Sequence, residues 1–259
     1  MTEHELAASG MRPLDGRAPL RWLASGWRDL WANPLPGLMH GVALAAFGAL
    51  LLWLAHDQFW WLAGAFSGFL IVAPVLACGL YAVSRQAQQG RRMGCREVMG
   101  VWLSGDRRLI AFGLLLALAG TGWVLTSAGL ITLWASAPVE KPADFLRHVV
   151  LAPAPGLFEV WLLLGALLAA PMFASSVVTL PLLMDTRLPL WMAIGESWRA
   201  VGSHPVVMAW WAALIAALVI LGLATGLIGL VVVVPLLGHA SWHAYVDLRR
   251  SGVIRVSQP

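Results

Sequence analysis

Apolar residues run along this chain in long blocks, and short basic stretches separate the blocks. A bilayer crossing needs about 20 predominantly apolar residues to cover a hydrocarbon layer ~30 Å thick. By that measure the pattern predicts membrane-spanning helices at residues 35–56, 58–83, 109–134, 159–184, 206–224 and 227–246. The last two come from one unbroken stretch, about twice what a single helix needs. Thr225-Gly226 is its only plausible point of reversal, so it is divided there into a helical hairpin.

Other segments alternate on a helical period. Leu20, Leu23, Trp27, Leu30 and Trp31 fall on one face, with Arg21, Ser25, Arg28 and Asp29 away from it; Leu190, Ile194, Trp198 and Val201 repeat the pattern before the fifth span. Tryptophan favours the headgroup level and arginine favours anionic lipid, so Trp27, Arg28, Trp198 and Arg199 are candidate interface anchors. Such helices either lie along the membrane surface or form short elbows packed on the spans.

The segments also echo one another. "GWRDLWANPLPGLM" precedes the first span and "SWRAVGSHPVVMAW" the fifth, which matches Trp27-Arg28 and Pro34 with Trp198-Arg199 and Pro205 at one spacing. "GVWLSGDRRLIAFG", before the third span, is a weaker copy without the proline. "IVAPVLACGLY", "VVTLPLLMDTR" and "VVVVPLLGHAS" place Pro74, Pro181 and Pro235 alike near the ends of the even spans. The expected fold is therefore an all-α, polytopic membrane protein of six transmembrane helices, arranged as three parallel hairpin repeats with amphipathic helices on the cytoplasmic side. Its expected organisation is a cytoplasmic tail with an amphipathic helix at 1–34, a transmembrane domain at 35–248 and a second cytoplasmic tail at 249–259.

Composition and charge sharpen this picture. The 259 residues are 59% hydrophobic and 12% charged, where ordinary soluble domains carry about a quarter charged residues, and this excludes a soluble core. The first 34 residues hold many charges and no apolar core before a small-residue cleavage site, so no cleaved signal peptide is expected. Basic residues mark the cytoplasmic side of a bacterial inner membrane. Arg12, Arg17, Arg21 and Arg28 precede the first span; Arg85, Arg91, Arg92, Arg96, Arg107 and Arg108 follow the second; Arg187 and Arg199 follow the fourth; Arg249, Arg250 and Arg255 follow the sixth. The other side has Lys141 and Arg147 alone, a balance of fifteen to two that needs an even number of spans and puts both termini inside. The external loop, with Pro138, Pro142, Pro153 and Pro155, has room for a short surface helix and no folded domain.

The motifs "RPLDGRAPLRWLASGWRDLWANP", "SGFLIVAPVLACGLYAVSRQ", "SSVVTLPLLMDTRLPLWMAIGESWRAVGSHP" and "VVVVPLLGHASWHAYVDLRR", in that order, resemble a family of uncharacterised bacterial integral membrane proteins known as a domain of unknown function. Some of its members carry the label cytochrome c oxidase subunit I. An oxidase core needs two haems, a copper ion and many intramembrane histidines. This chain has seven histidines in all, so the resemblance implies a membrane fold and no activity.

Little chemistry stands out. His239 and His243 in "GHASWHAY" lie four apart on one helical face, a spacing that can bind a metal or flank a haem, but that more often anchors a helix end with Trp242 and Tyr245 or bonds neighbouring helices. No metal site is expected, because no further ligand accompanies them. Each proline frees a backbone carbonyl one turn earlier, and Ser175, Ser176 and Thr179 add hydroxyls near Pro181; such groups line paths or simply help helices pack. Gly64 with Gly68 and Gly222 with Gly226 suit close helix contact. No charge sits mid-span, which argues against active transport. Cys78 and Cys95 fall in different phases, so no disulfide is expected. No phosphate loop, catalytic triad or nucleic-acid motif is present. The expected protein is thus non-enzymatic and cofactor-free, with membrane lipids and other membrane proteins as partners and no nucleic acid. The alternatives are a passive channel or carrier for a small molecule and a haem- or metal-handling protein.

The basic loop around Cys95 sets a direct check on orientation. Cys95 should react with a membrane-impermeant thiol reagent only when the cytoplasmic face is opened; labelling in intact spheroplasts would reverse the topology.

Overall fold

The computed structural model describes residues 14–152 and 156–254; Arg12, Pro153, Pro155 and Arg255 lie outside the described residues, as do the outer ends of both tails. All regular structure among the described residues is helical, with no strand. In chain order the helices are α1 (Ala18–Ala32), α2 (Pro34–Leu54), α3 (Phe59–Gln88), α4 (Cys95–Trp102), α5 (Arg107–Trp134), α6 (Pro142–Phe145), α7 (Leu157–Ser176), α8 (Thr179–Asp185), α9 (Leu190–Ser203), α10 (Pro205–Ala224) and α11 (Leu230–Arg250). A π-helical turn, Leu146–Val150, follows α6 in the loop after α5. By length and composition four stretches can cross a membrane: α2, α5, the run Leu157–Asp185 through α7 and α8, and α10. The second half of α11 carries His239, Ser241, His243, Asp247, Arg249 and Arg250, so its apolar run is short.

Local chemistry explains the breaks between elements. Pro34 and Pro205 each open a long helix at its first position, where a missing N–H costs nothing. The residues before them share one backbone conformation, Asn33 at φ −145°, ψ 74° and His204 at φ −136°, ψ 58°. Between α10 and α11 the chain turns through residues 225–229, with Gly226 at φ +66° and Leu227 at φ +73°. Glycine adopts that left-handed backbone freely, while Leu227 is strained by it. The stretch expected as a single fourth span is interrupted at residues 177–178, one turn before Pro181. The ring of Pro181 removes a helical donor and crowds the preceding turn. The Val178 N–H donates instead to Ser197 Oγ on α9 (3.1 Å), and the Thr179 hydroxyl donates to the Ser175 carbonyl (2.5 Å).

The chain packs as two compact units. Among the described residues, one comprises 14–45, 75–108 and 174–254. Within it α1 lies along α11, burying Ala18, Trp22, Gly26 and Leu30. Small residues allow the close approaches: a Cβ on Gly26 would stand 2.7 Å from the Ala240 nitrogen and 2.8 Å from the Leu236 oxygen, and one on Gly37 would meet Pro235 and His239. A Cβ on Gly41 would collide with the Val231 backbone, and one on Gly238 with the Leu80 side chain. Gly64 and Gly68 make no such approach, whereas Gly222 packs on Leu230. The buried face of α1 is therefore not the stripe of Leu20, Trp27 and Trp31, which stays exposed; only Leu30 belongs to both. Helix α9 behaves likewise, burying Ala193, Ser197 and Ala200 and exposing Trp191 and Trp198.

The second unit comprises Ala46–Pro74 and Leu109–Phe173. Its core joins Ile131, Val139, Val149 and Leu157, with Phe59, Trp60, Phe145 and Trp161 packed around them. The loop after α5 is tied down there: the Phe59 N–H donates to the Glu140 carbonyl (2.7 Å), Trp60 Nε1 to the Val139 carbonyl (3.0 Å), and Lys141 pairs with Asp57 (3.0 Å).

Gly26→Ala should lower the thermal midpoint in detergent by several degrees, because backbone atoms bound the new methyl and overpacking of this kind costs about 1–3 kcal/mol. Gly64→Ala, with open space around it, should leave the midpoint unchanged or raise it slightly. Equal midpoints for the two variants would deny the close approach of α1 to α11.

Candidate functional site

The polar groups of the chain converge on α11, in the first unit. A helix that buries several polar side chains must find a partner for each, since an unpaired buried donor or acceptor loses about 1–3 kcal/mol. Here the partners come from three other helices. Ser84 on α3 bonds His239 Nδ1 (2.8 Å), and Asp29 on α1 bonds His243 Nε2 (2.8 Å). Asp247 accepts from Trp22 Nε1 (2.9 Å). At the end of α8, Asp185 accepts from the Tyr245 hydroxyl (2.8 Å), pairs with Arg249, and lies 3.3 Å from Arg85 of α3.

His239 and His243 thus stand on one helix but serve different neighbours. His239 is fully buried and its Nε2 makes no hydrogen bond among the described residues; His40 Nε2 on α2 is in the same condition. His40 bonds the Pro36 carbonyl through Nδ1 (2.6 Å) and packs edge-on against Trp102 (4.9 Å between ring centres). Among the described residues no three His, Cys, Asp or Glu side chains are grouped to hold a metal. Cys78 and Cys95 are both free.

Pro74, Pro181 and Pro235 are all buried. The hydroxyls near Pro181 are engaged: Ser175 Oγ accepts from Trp198 Nε1 (2.9 Å), and Thr179 is bonded as above. The anchors sit as follows. Trp27 is 47% exposed and meets Trp31 edge-on, Arg28 donates to Ser25 (3.0 Å), Trp198 is 49% exposed, and Arg199 pairs with Glu196. Arg108 acts as a clamp, donating to the Leu183, Thr186 and Leu188 carbonyls at 2.8–3.0 Å while bonded to Asp106. Those carbonyls lie at and just beyond the C-terminal end of α8, where no helical N–H reaches them.

Two cavities of about 440 Å³ each accompany these features. The first, in the first unit, is lined by Arg85, Gln88, Gln89, Asp185, Trp242, Tyr245, Val246, Arg249 and Arg250. The second, in the other unit, lies between α5 and α7 and is walled by Gly120, Trp123, Trp161, Leu162, Gly165 and other apolar residues. Ser84, Asp29, Trp22, Asp247 and His40 escape a reading of motifs, because each gains its meaning only from a partner on another helix. Asp185 likewise takes its charge partners, Arg85 and Arg249, from other helices.

Residues 61–185 match the model of a family described as "Predicted integral membrane protein (DUF2189)", a domain of unknown function. No curated protein and no solved structure matches the chain. The chain is an integral membrane protein with several apolar helices and resembles that uncharacterised family.

Burial opposes ionisation of Asp29, but hydrogen bonds from His243 and Ser84 and the nearby histidine charge outweigh it and hold its carboxyl below the usual 3.8. A depressed value adds stability that is fully present above pH 3.8 and is lost as pH falls through the folded-state value. Asp29→Ala should therefore be less stable than wild type by about 1–3 kcal/mol at neutral pH, since His243 loses its partner. Unfolding measured in detergent should show that gap narrowing below pH 3.8; a gap that persists there would mean Asp29 is not held ionised by this site.

Proposed function

We propose that this chain is a six-span protein of a bacterial inner membrane, with both termini cytoplasmic, that acts as a non-enzymatic module binding and organising lipids and other membrane proteins. The order of elements supports three parallel repeats: an amphipathic helix and then two long helical segments, as α1 with α2 and α3, α4 with α5 and the α7–α8 run, and α9 with α10 and α11. The matching backbone at Asn33 and His204 supports the same arrangement. The fifteen-to-two balance of basic residues supports the orientation.

One observation carries the functional reading. The polar side chains of α11 are largely consumed in holding its neighbours, whereas the tryptophans of α1 and α9 are left uncovered, Trp191 being 72% exposed. Contact with lipid and with other spans needs apolar aromatic surface at the headgroup level, which these tryptophans supply. A second reading, a passive carrier for a small apolar molecule, draws support from the apolar cavity between α5 and α7.

Gentle detergent extraction from the native host, followed by identification of bound lipids and copurifying proteins, tests the proposal. Defined lipids or membrane proteins should be retained in fixed ratio by a colourless preparation. A stoichiometric haem spectrum lost in His239→Ala would replace the proposal with cofactor handling. Accelerated efflux of an apolar dye from liposomes holding the protein alone would favour the carrier.

A further inference from the structure

The cavity at the C-terminal ends of α3, α8 and α11 has a charge and donor pattern that structural pairing does not exhaust. Arg85, Arg249 and Arg250 face a single carboxylate, Asp185, so the lining carries a net positive charge. Arg85 and Arg249 are both held on Asp185, which fixes their position, yet each guanidinium has five N–H donors and one carboxylate cannot take them all. Arg250 makes no hydrogen bond or ion pair among the described residues. Trp242, only 3% exposed, also lines the cavity. Arginines in a last helical turn also answer the helix dipole, which accounts for their presence. It does not account for the cavity of about 440 Å³.

We propose that this cavity binds a phosphate-bearing anion, either the headgroup of an anionic phospholipid or a free phosphate. Guanidinium groups match phosphate oxygens in pairs, and a tetrahedral anion offers acceptors to several donors at once. The volume falls within the range of about 300–1,000 Å³ usual for ligand sites. Basic pockets between spanning helices, at the helix ends, are where phospholipid headgroups are held. The lipid form rests on the lipid-binding part of the proposed function.

The test uses the full chain in neutral detergent, with thermal unfolding followed as dioctanoyl phosphatidylglycerol, dioctanoyl phosphatidylcholine or inorganic phosphate is added at matched ionic strength. Phosphatidylglycerol, phosphate or both should raise the midpoint saturably, and phosphatidylcholine should not. Arg250→Gln should unfold at the wild-type midpoint without ligand, because Arg250 is exposed and unpaired, and should need about tenfold more ligand for half its effect. A response to phosphatidylglycerol alone identifies a headgroup site, and a response to phosphate identifies a free-anion site; either upholds the proposal. Binding of phosphate without lipid would keep the site but remove the lipid part of the proposed function. No saturable shift with either, an equal shift with phosphatidylcholine, or an unchanged response in Arg250→Gln would overturn the site. Lipids or proteins still retained on extraction from the host would then leave the broader function standing.

Discussion

The pairing of α11's polar side chains fixes more of the first unit than any other constraint. His239, His243, Tyr245, Asp247 and Arg249 follow one another along one helix, and each is bonded to a residue of α1, α3 or α8. Hydrogen bonds reach only about 3 Å, so the backbones must come close before any of them forms. Gly26 and Gly41 supply that closeness, because neither position leaves space for a Cβ. Close approach and polar pairing are therefore one device: the glycines admit the neighbouring helix, and the bonds fix its angle and register.

The same division of labour appears on the amphipathic helices. Both α1 and α9 present two unlike surfaces, a buried one built partly from small residues and an uncovered one rich in tryptophan. Each helix is fastened to the protein along one side while offering Trp27 and Trp31, or Trp191 and Trp198, on the other. The interruption before Pro181 has a related purpose: it frees the Val178 N–H, and Ser197 of α9 takes it.

What a sequence makes legible is whatever is encoded locally. Apolar blocks disclose the long helices, Thr225-Gly226 discloses the reversal between α10 and α11, and the placement of Trp27 and Trp198 discloses amphipathic helices ahead of Pro34 and Pro205. The contacts that build the candidate site are not local. Asp29 meets His243 across 214 residues and Ser84 meets His239 across 155, and no spacing within a segment announces such a meeting. Glycine spacing misled for the same reason: Gly64 and Gly68 have the expected interval but no neighbour, while Gly26 and Gly41 sit in different helices and share one. The largest apolar residues of α1 point to a stripe containing Trp27 and Trp31. The face that packs contains Ala18 and Gly26, whose small size is the signal.

The bond from Trp22 to Asp247 joins residues 225 positions apart, and this separation bears on how the protein is made. At a synthesis rate of about 5–20 residues per second, the ribosome needs roughly 11–45 seconds after making α1 before it has made the helix that α1 packs against. Throughout that interval Trp22, Gly26 and Leu30 of α1 lack the helix that covers them in the finished fold. A chain whose translation stops before α11 would leave Trp22, Gly26 and Asp29 without the helix that covers and bonds them.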